Sequence, residues 1–283
     1  MPMTPTATEP ASRPLAVHRP AWDDAAIERF WAYWSTREQQ DPRYFTWNHG
    51  TGILNLAHFA GALRGRVLDY GCGRGILTRK LLRRGVEVQG LEFSQAAAER
   101  LDLQLGDTPG WLGTTVVDQL PAPLAQGSFD LVFCIEVIEH LGDAWLEATL
   151  DELARLLRPG GHLLLTTPCA EDLEAAFVFC PFCGSQHHHM QHLRSIEPGE
   201  LRRWLETRGF EVLLCQGLRL EHFRDHARLP AFADLSLRRL AEWTGCAALR
   251  LLDRWFPTHP PGRTVRRLAR EPGPHLCALA RKR

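Results

Sequence analysis

The run Val67-Leu68-Asp69-Tyr70-Gly71-Cys72-Gly73-Arg74-Gly75 constrains this chain more than any other. It predicts a buried β-strand that breaks into a glycine-rich turn and then opens a helix over Ile76 to Arg84. Glycine lacks a Cβ, so a ligand can lie against the backbone there and the turn can take positive φ. An acid, Glu92, ends the next apolar strand, Val86 to Glu92, where a carboxylate is placed to grip a ribose diol. The spacing is G-x-G-x-G, not the G-x-G-x-x-G of dinucleotide binders. With Asp69 just ahead of it, the turn suits a ligand carrying an amine and a sulfonium rather than a pyrophosphate.

Short apolar strands are predicted near Arg66–Tyr70, Val86–Glu92, Thr114–Val117, Asp130–Ile135, His162–Thr167 and Phe210–Leu218. Helical patterning separates them, which implies a parallel sheet covered on both faces. One such helix starts at Asp143, carries Leu146, Leu150, Leu153 and Leu157 along one face, and stops at Pro159-Gly160-Gly161. The expected organisation is a flexible tail over 1–20 and a helical, aromatic lid segment over 21–65. A core follows over 66–218, with a Cys/His insert at 169–195, then a helical insert over 219–273 and a last strand over 274–283. Within the lid segment, Ile27, Phe30, Trp31 and Trp34 have helical spacing, and 42–50 reads as an aromatic linker. The 219–273 insert has helical patterning from Leu235 to Phe256.

Three further runs sharpen this pattern: Val116-Val117-Asp118-Gln119-Leu120-Pro121, Gly127-Ser128-Phe129-Asp130-Leu131-Val132-Phe133, and Leu157-Arg158-Pro159-Gly160-Gly161-His162-Leu163. Together with the glycine turn and Glu92, they resemble the class I S-adenosylmethionine (SAM)-dependent methyltransferases over about Arg66 to Leu218. The resemblance implies an α/β, Rossmann-like fold with a seven-stranded, mostly parallel sheet and an antiparallel last strand near Pro274 to Ala280. It also implies SAM as cofactor. Asp69 would sit near the methionine amine, directly or through water. Gly71 and Gly73 would let the backbone approach the ligand, Glu92 would accept from the ribose hydroxyls, and Asp118 would meet the adenine amine.

The acceptor side is predicted at Ile135-Glu136-Val137-Ile138-Glu139-His140-Leu141. If that stretch is helical, Glu136, Glu139 and His140 share a face. Three readings stand: ligands of a divalent cation such as Mg²⁺ that acidifies a substrate hydroxyl, His140 as general base, or a structural role. The segment is similar to one in the ubiquinone-pathway O-methyltransferases and one in the small-RNA terminal 2′-O-methyltransferases. That similarity implies a metal set completed by a later histidine, for which His192 is the match. The N-P-P-Y motif of enzymes that methylate base amines is absent, and Cys169 is not placed as the nucleophile of a cytosine-C5 enzyme.

Cys180, Cys183, His188 and His192 form C-x2-C-x4-H-x3-H, which fits a structural, tetrahedral Zn²⁺ site. The alternative is a reduced C-x-x-C pair with solvated histidines. His192 cannot serve both this site and the Glu136 site, and His187 or His189 could replace it in the knuckle.

Bulk properties limit the partners. The 283 residues carry no formal net charge, so nothing pulls the chain globally toward nucleic acid. From Arg219 onward there is an excess of about eight positive charges, set among leucines and tryptophans. That stretch reads as a helical cap or as a basic amphipathic surface for peripheral membrane contact. The N-terminal stretch has no apolar core of a signal peptide, and eight scattered cysteines suit reduced thiols, so a cytoplasmic location is expected. The expected activity is methyl transfer from SAM to a hydroxyl of a small-molecule acceptor, a sugar, phenol or lipid-linked precursor. The alternatives are an RNA ribose 2′-O-methyltransferase and a non-catalytic SAM-binding, zinc-stabilised interaction module.

Overall fold

Strand β1 (Arg66–Tyr70) occupies the middle of a seven-stranded sheet because Val67, Leu68 and Tyr70 are apolar on both of its faces and fully buried. The computed structural model describes residues 15–35, 44–225, 237–256 and 260–283. Around β1 lie β2 (Glu87–Glu92), β3 (Trp111–Val116), β4 (Phe129–Ile135), β5 (Leu157–Pro168), β8 (Phe210–Leu218) and β9 (His275–Lys282). Their order is β3-β2-β1-β4-β5-β9-β8. Strands β1 to β5 pair in parallel, whereas β9 runs antiparallel to both β5 and β8. The order reverses between β1 and β4, the switch point beyond whose carboxyl ends open α/β sheets bind ligands.

Period-two alternation fills two cores. Val67, Leu131, Phe133 and Leu164 point to a layer made by α2 (Phe45–Phe59), α3 (Ile76–Leu82), α4 (Gln95–Leu105) and α7 (Leu220–Asp225), with help from α8 (Leu237–Trp255) and α9 (Arg263–Leu268). Leu68, Val132, Cys134 and Leu165 point the other way, onto α5 (Asp143–Leu156) and α6 (Pro198–Glu206). The remaining elements are α1 (Asp24–Ser35) and a small hairpin, β6 (Phe177–Phe179) with β7 (Gln186–His188).

The sheet, its parallel sense and the antiparallel last strand match the sequence reading; several boundaries do not. The expected aromatic linker is, from Phe45, the start of α2, because Ile53, Leu54, Leu56 and Ala57 give it a buried face. Its glycines serve packing: a Cβ at Gly52 would stand 2.2 Å from the Leu220 carbonyl oxygen. Residues 15–19 are not free tail. His18 bridges Ser185, its amide donates to the Gly184 carbonyl at 3.1 Å, and its carbonyl accepts from Gln186, so this stretch covers the edge of the hairpin. Residues 1–14 lie outside the described residues, as does Leu235. Helix α5 ends at Leu156, so Leu157 already begins β5 and Leu156 completes the buried stripe.

Candidate active site

Gly71, Gly73 and Gly75 all have positive φ, at 71°, 49° and 66°. The amides of Gly71 and Cys72 donate to the Leu91 carbonyl at 2.9 and 3.0 Å, which staples the turn to β2. A Cβ at Gly71 would meet Val137 at 2.7 Å and one at Gly75 would meet Leu101 at 2.2 Å, whereas one at Gly73 has no neighbour nearer than 4.0 Å. The turn is therefore clamped at both ends and open in its middle, a cradle with room for a ligand against the backbone. Glu92 reaches it: one oxygen accepts from Gly73 N–H at 2.7 Å, and the other from the amides of Phe93 and Ser94 at 2.9 and 3.0 Å. Burial raises the pKa of Glu92 although these amides pull it down. A carboxylate has about four lone-pair sites, so capacity remains for a ribose hydroxyl.

Asp69 is buried and accepts from the Thr78 hydroxyl at 2.6 Å, which fixes the turn to the first turns of α3. Burial pushes its carboxyl up to about 6 against the pull of Thr78, with a smaller push from Glu92. Two acids, Asp69 buried and Glu92 half-buried, flank one open turn and favour a cationic ligand, so these residues fit the amine and sulfonium of SAM. Asp118 lies exposed just beyond the end of β3, next to Val117, whose amide donates to the Glu92 carbonyl at 3.0 Å.

The acceptor-side residues converge, but not as a helix. Glu136 has φ of +53°, and only Ile138–His140 forms a turn, of 3-10 type. The expected i, i+3, i+4 face is thus replaced by a left-handed residue and one tight turn. The Thr166 hydroxyl donates to Glu136 at 2.8 Å. Both oxygens of Glu139 are buried with no hydrogen-bond partner, and His140 Nε2 stands 3.8 Å from one of them. Burial pushes Glu136 up to about 8, with Glu171 adding to it, and holds Glu139 well above the usual carboxylate range, with Glu136 adding to it. Burial, then the neighbouring His192, lowers His140 to about 3. So weak a base is unsuited to take a proton near neutral pH, but a neutral imidazole is a good ligand.

His192 belongs to this pocket. The Leu193 amide donates to the Glu139 carbonyl at 2.8 Å, and Gln191 Nε2 donates to the His140 carbonyl at 3.0 Å, so the loop is tied to the 3-10 turn. Ligand atoms of Glu139, His140 and His192 all lie within 4.8 Å of one another. An isolated buried carboxylate costs several kcal/mol, and a divalent cation would offset that. The orphaned oxygens of Glu139 therefore fit a bound metal ion. Trp31 of α1 closes the pocket: its indole N–H donates to Gln191 at 2.8 Å and its ring packs edge-on against His140 at 4.6 Å.

The sequence reading missed Glu171, which lies between two imidazoles. His188 Nδ1 accepts from the amides of Met190 and His192, both at 3.2 Å, so its proton is on Nε2, which faces Glu171 at 3.3 Å. The other Glu171 oxygen takes the Nδ1 proton of His192. His192 is left with Nε2 as its one nitrogen bearing a lone pair. No motif marks Glu171; it follows β5 in an irregular stretch and meets its partners only through the fold.

The four-ligand zinc knuckle is not assembled. Cys180 and Cys183 form the tip of the β6–β7 hairpin, closed by Cys180 N–H to the Ser185 carbonyl at 2.8 Å, and Cys183 is exposed. His188 pairs with Phe177, three residues before Cys180, and so lies ~10 Å back along the strand. His188 and His192 turn to Glu171 instead, and among the described residues no three-ligand cluster includes either cysteine. His187 and His189 do not replace them: His187 packs on Trp22, and His189 Nδ1 meets the Ala176 carbonyl.

A family model described as a methyltransferase domain matches residues 33–214. The ubiquinone biosynthesis O-methyltransferase of Alkalilimnicola ehrlichii is 29% identical over 254 residues, covering 85% of this chain and 96% of the relative. The protein of the same name from Xanthomonas axonopodis pv. citri is 30% identical over 75% of this chain and 88% of its own length. Among solved structures, the Burkholderia thailandensis 1,6-didemethyltoxoflavin-N1-methyltransferase, with bound 1,6-didemethyltoxoflavin and S-adenosylhomocysteine, is similar in fold. Its TM-score is 0.53 at 18% identity, over 94% of this chain and 93% of that one.

Proposed function

The chain belongs to the methyltransferase-domain family and is a SAM-dependent methyltransferase; we propose that its acceptor is the hydroxyl of a small aromatic molecule, a phenol. The observation that carries this reading is the buried, unpartnered Glu139 carboxylate beside His140 and His192, one strand from the SAM cradle. The names of the relatives, O-methyltransferases of ubiquinone biosynthesis, agree with it.

SAM arrives with a reactive methyl, so the protein must hold the donor, align the oxygen and take its proton. Glu92 and the open middle of the glycine turn would hold the nucleoside, and Asp69 would meet the methionine amine. Glu139, His140 and His192, with Glu136 beside them, would hold a divalent cation. Such an ion, when bound, lowers the pKa of a coordinated hydroxyl. Glu136 has one oxygen fixed by Thr166, and in its ionised form the other oxygen would take the phenolic proton. Trp31 over His140 keeps bulk water from the pocket.

The test is transfer of tritiated methyl from SAM to a panel of catechols, prenylated phenols, sugars and short RNAs. The expected result is ether formation on phenols, abolished in Glu139→Ala and in His140→Ala while SAM affinity is kept. Label confined to RNA 3′ ends, or normal turnover by both variants, would overturn the assignment.

A further inference from the structure

Beyond the methyl-transfer pocket, we propose that His49, Glu221 and His275 form a second metal site, for a zinc-class divalent ion, at the rim of the same sheet edge. The three residues come from three separate elements: α2, the first turn of α7, and the first residue of β9. One ligand atom from each lies within 4.8 Å of the others.

Each residue is held there by backbone packing. Helix α2 presses on α7 at Gly52, where there is no room even for a Cβ against the Leu220 carbonyl, and this brings His49 beside Glu221. His275 is fixed by register, opposite Pro168 at the end of β5 and Leu218 at the end of β8. Phe45 packs against both imidazoles, at 4.8 and 5.0 Å between ring centroids, and the two imidazoles lie 4.4 Å apart. His49 Nδ1 is buried with no hydrogen-bond partner and stands 3.3 Å from a Glu221 oxygen. A tetrahedral ion with bonds near 2.0–2.2 Å wants ligand atoms ~3.4 Å apart. The His49–Glu221 pair already has that separation, and His275 needs only a small movement to join it.

The donor set selects the ion. Two imidazoles and one carboxylate suit Zn²⁺ and its first-row neighbours, whereas Mg²⁺ prefers oxygen ligands. Three protein ligands leave a fourth position for water, and Glu221 is exposed enough to admit it. Arg224, the nearby cation, is paired with Asp225 at 2.8 Å. The site lies two strands from Glu136 along the carboxyl edge of the sheet, ~10 Å away. An ion there ties α2, α7 and β9 together on the flank of the acceptor cleft.

The test uses zinc alone on the full chain, stripped with chelator, in a Cys180→Ser/Cys183→Ser parent that removes thiol ligands. Zinc equivalents and affinity are compared between this parent, His49→Gln, Glu221→Gln and His192→Gln, with SAM affinity as the check on folding. His49→Gln and Glu221→Gln should each lose one equivalent, with affinity for it falling more than ~100-fold, beyond the usual effect of an outer-shell partner. Cobalt substitution should give d–d absorption that Glu221→Gln abolishes. Because Glu221 is a surface residue, that variant decides the matter if His49→Gln misfolds. Equal equivalents and affinity in Glu221→Gln and parent, or loss of all zinc in His192→Gln alone, would overturn the proposal.

Discussion

Glu171 shows how one side chain sets the chemistry of its neighbours. It accepts from His188 on one oxygen and from His192 on the other, which leaves the His192 lone pair on Nε2. Such outer carboxylates typically contribute 10- to 100-fold in metal affinity. Glu171→Gln is therefore expected to weaken binding of a divalent ion at Glu139, His140 and His192 by about that factor, with SAM affinity unchanged. Calorimetric titration with Mn²⁺ on each protein checks it; equal affinities would show Glu171 to be a bystander. Asp69 gives a prediction in pH. Its carboxyl is raised from 3.8 to about 6 in the folded chain. The native state then holds a proton that the unfolded state has released, so this group's contribution is fully present below pH 3.8 and is lost as pH rises through 6. Histidines lowered by burial act in the opposite sense, so the wild-type curve alone is ambiguous. The difference between wild type and Asp69→Asn isolates the residue: urea midpoints should favour wild type most at pH 4 and least above pH 7. A difference that stays flat across that range would contradict the burial argument.

Elements were legible from sequence where periodicity and packing agree, and not where a single close contact decides. Strand β1 and its glycine turn could be read to the residue because apolar alternation and φ-permissive glycines coincide. Residues 42–50 read as an aromatic linker although α2 starts at Phe45; Gly50 and Gly52 weaken the helical pattern there, yet they let α2 touch α3 and α7. This decides the sign of a substitution. Gly to Ala in a helix interior ordinarily stabilises by up to ~1 kcal/mol, but Gly52→Ala is expected to destabilise by about 1–3 kcal/mol through overpacking on Leu220. Thermal melts settle which effect wins. The Cys/His insert fails for a related reason: ligand spacing suggested a compact knuckle, but β-pairing extends the chain and carries Cys180 away from His188. Between Arg219 and Gly273 no family pattern guided the reading, and α8 shows why the helical insert matters. Leu251, Leu252, Trp255 and Phe256 are exposed, the last two at 71% and 66%, beside Arg254. Placing two aromatics in a lipid interface is worth at least ~1.5 kcal/mol each. Trp255→Ser with Phe256→Ser should therefore reduce sedimentation with anionic vesicles by ~10-fold or more, and equal sedimentation would leave α8 as a plain cap.

At the scale of the whole molecule, donor and acceptor halves meet at the point where strand order reverses, and the two halves carry opposite kinds of design. The donor half, β1 to β3, satisfies the acids of its cradle: Glu92 has three amides and Asp69 has Thr78. The acceptor half, from β4 through the loop that carries His192, leaves Glu139 unsatisfied and Glu136 in a left-handed conformation. The donor half was legible in sequence because each of its residues lies within a local motif. The acceptor half was legible only in its residue types, since its convergence depends on Gln191, Glu171 and Trp31, which are 21 to 160 positions from their partners. Strain of this kind is stored at functional sites and held by the surrounding structure. It follows that removing Glu139 should relieve the metal-free fold while it ends catalysis. Glu139→Leu replaces a buried, unpartnered carboxyl with an apolar group of similar volume, a change that is commonly neutral or stabilising by about 1–4 kcal/mol. In chelator the variant should melt a few degrees above wild type, transfer no methyl to any acceptor, and bind SAM within about twofold of wild type, since Glu92 and the glycine turn are untouched. Added Mg²⁺ or Mn²⁺ should raise the wild-type melting point and leave the variant where it was. A variant that melts lower than wild type in chelator, with SAM binding intact, would mean that Glu139 is satisfied by the fold itself, and the cation would then have no vacancy to fill.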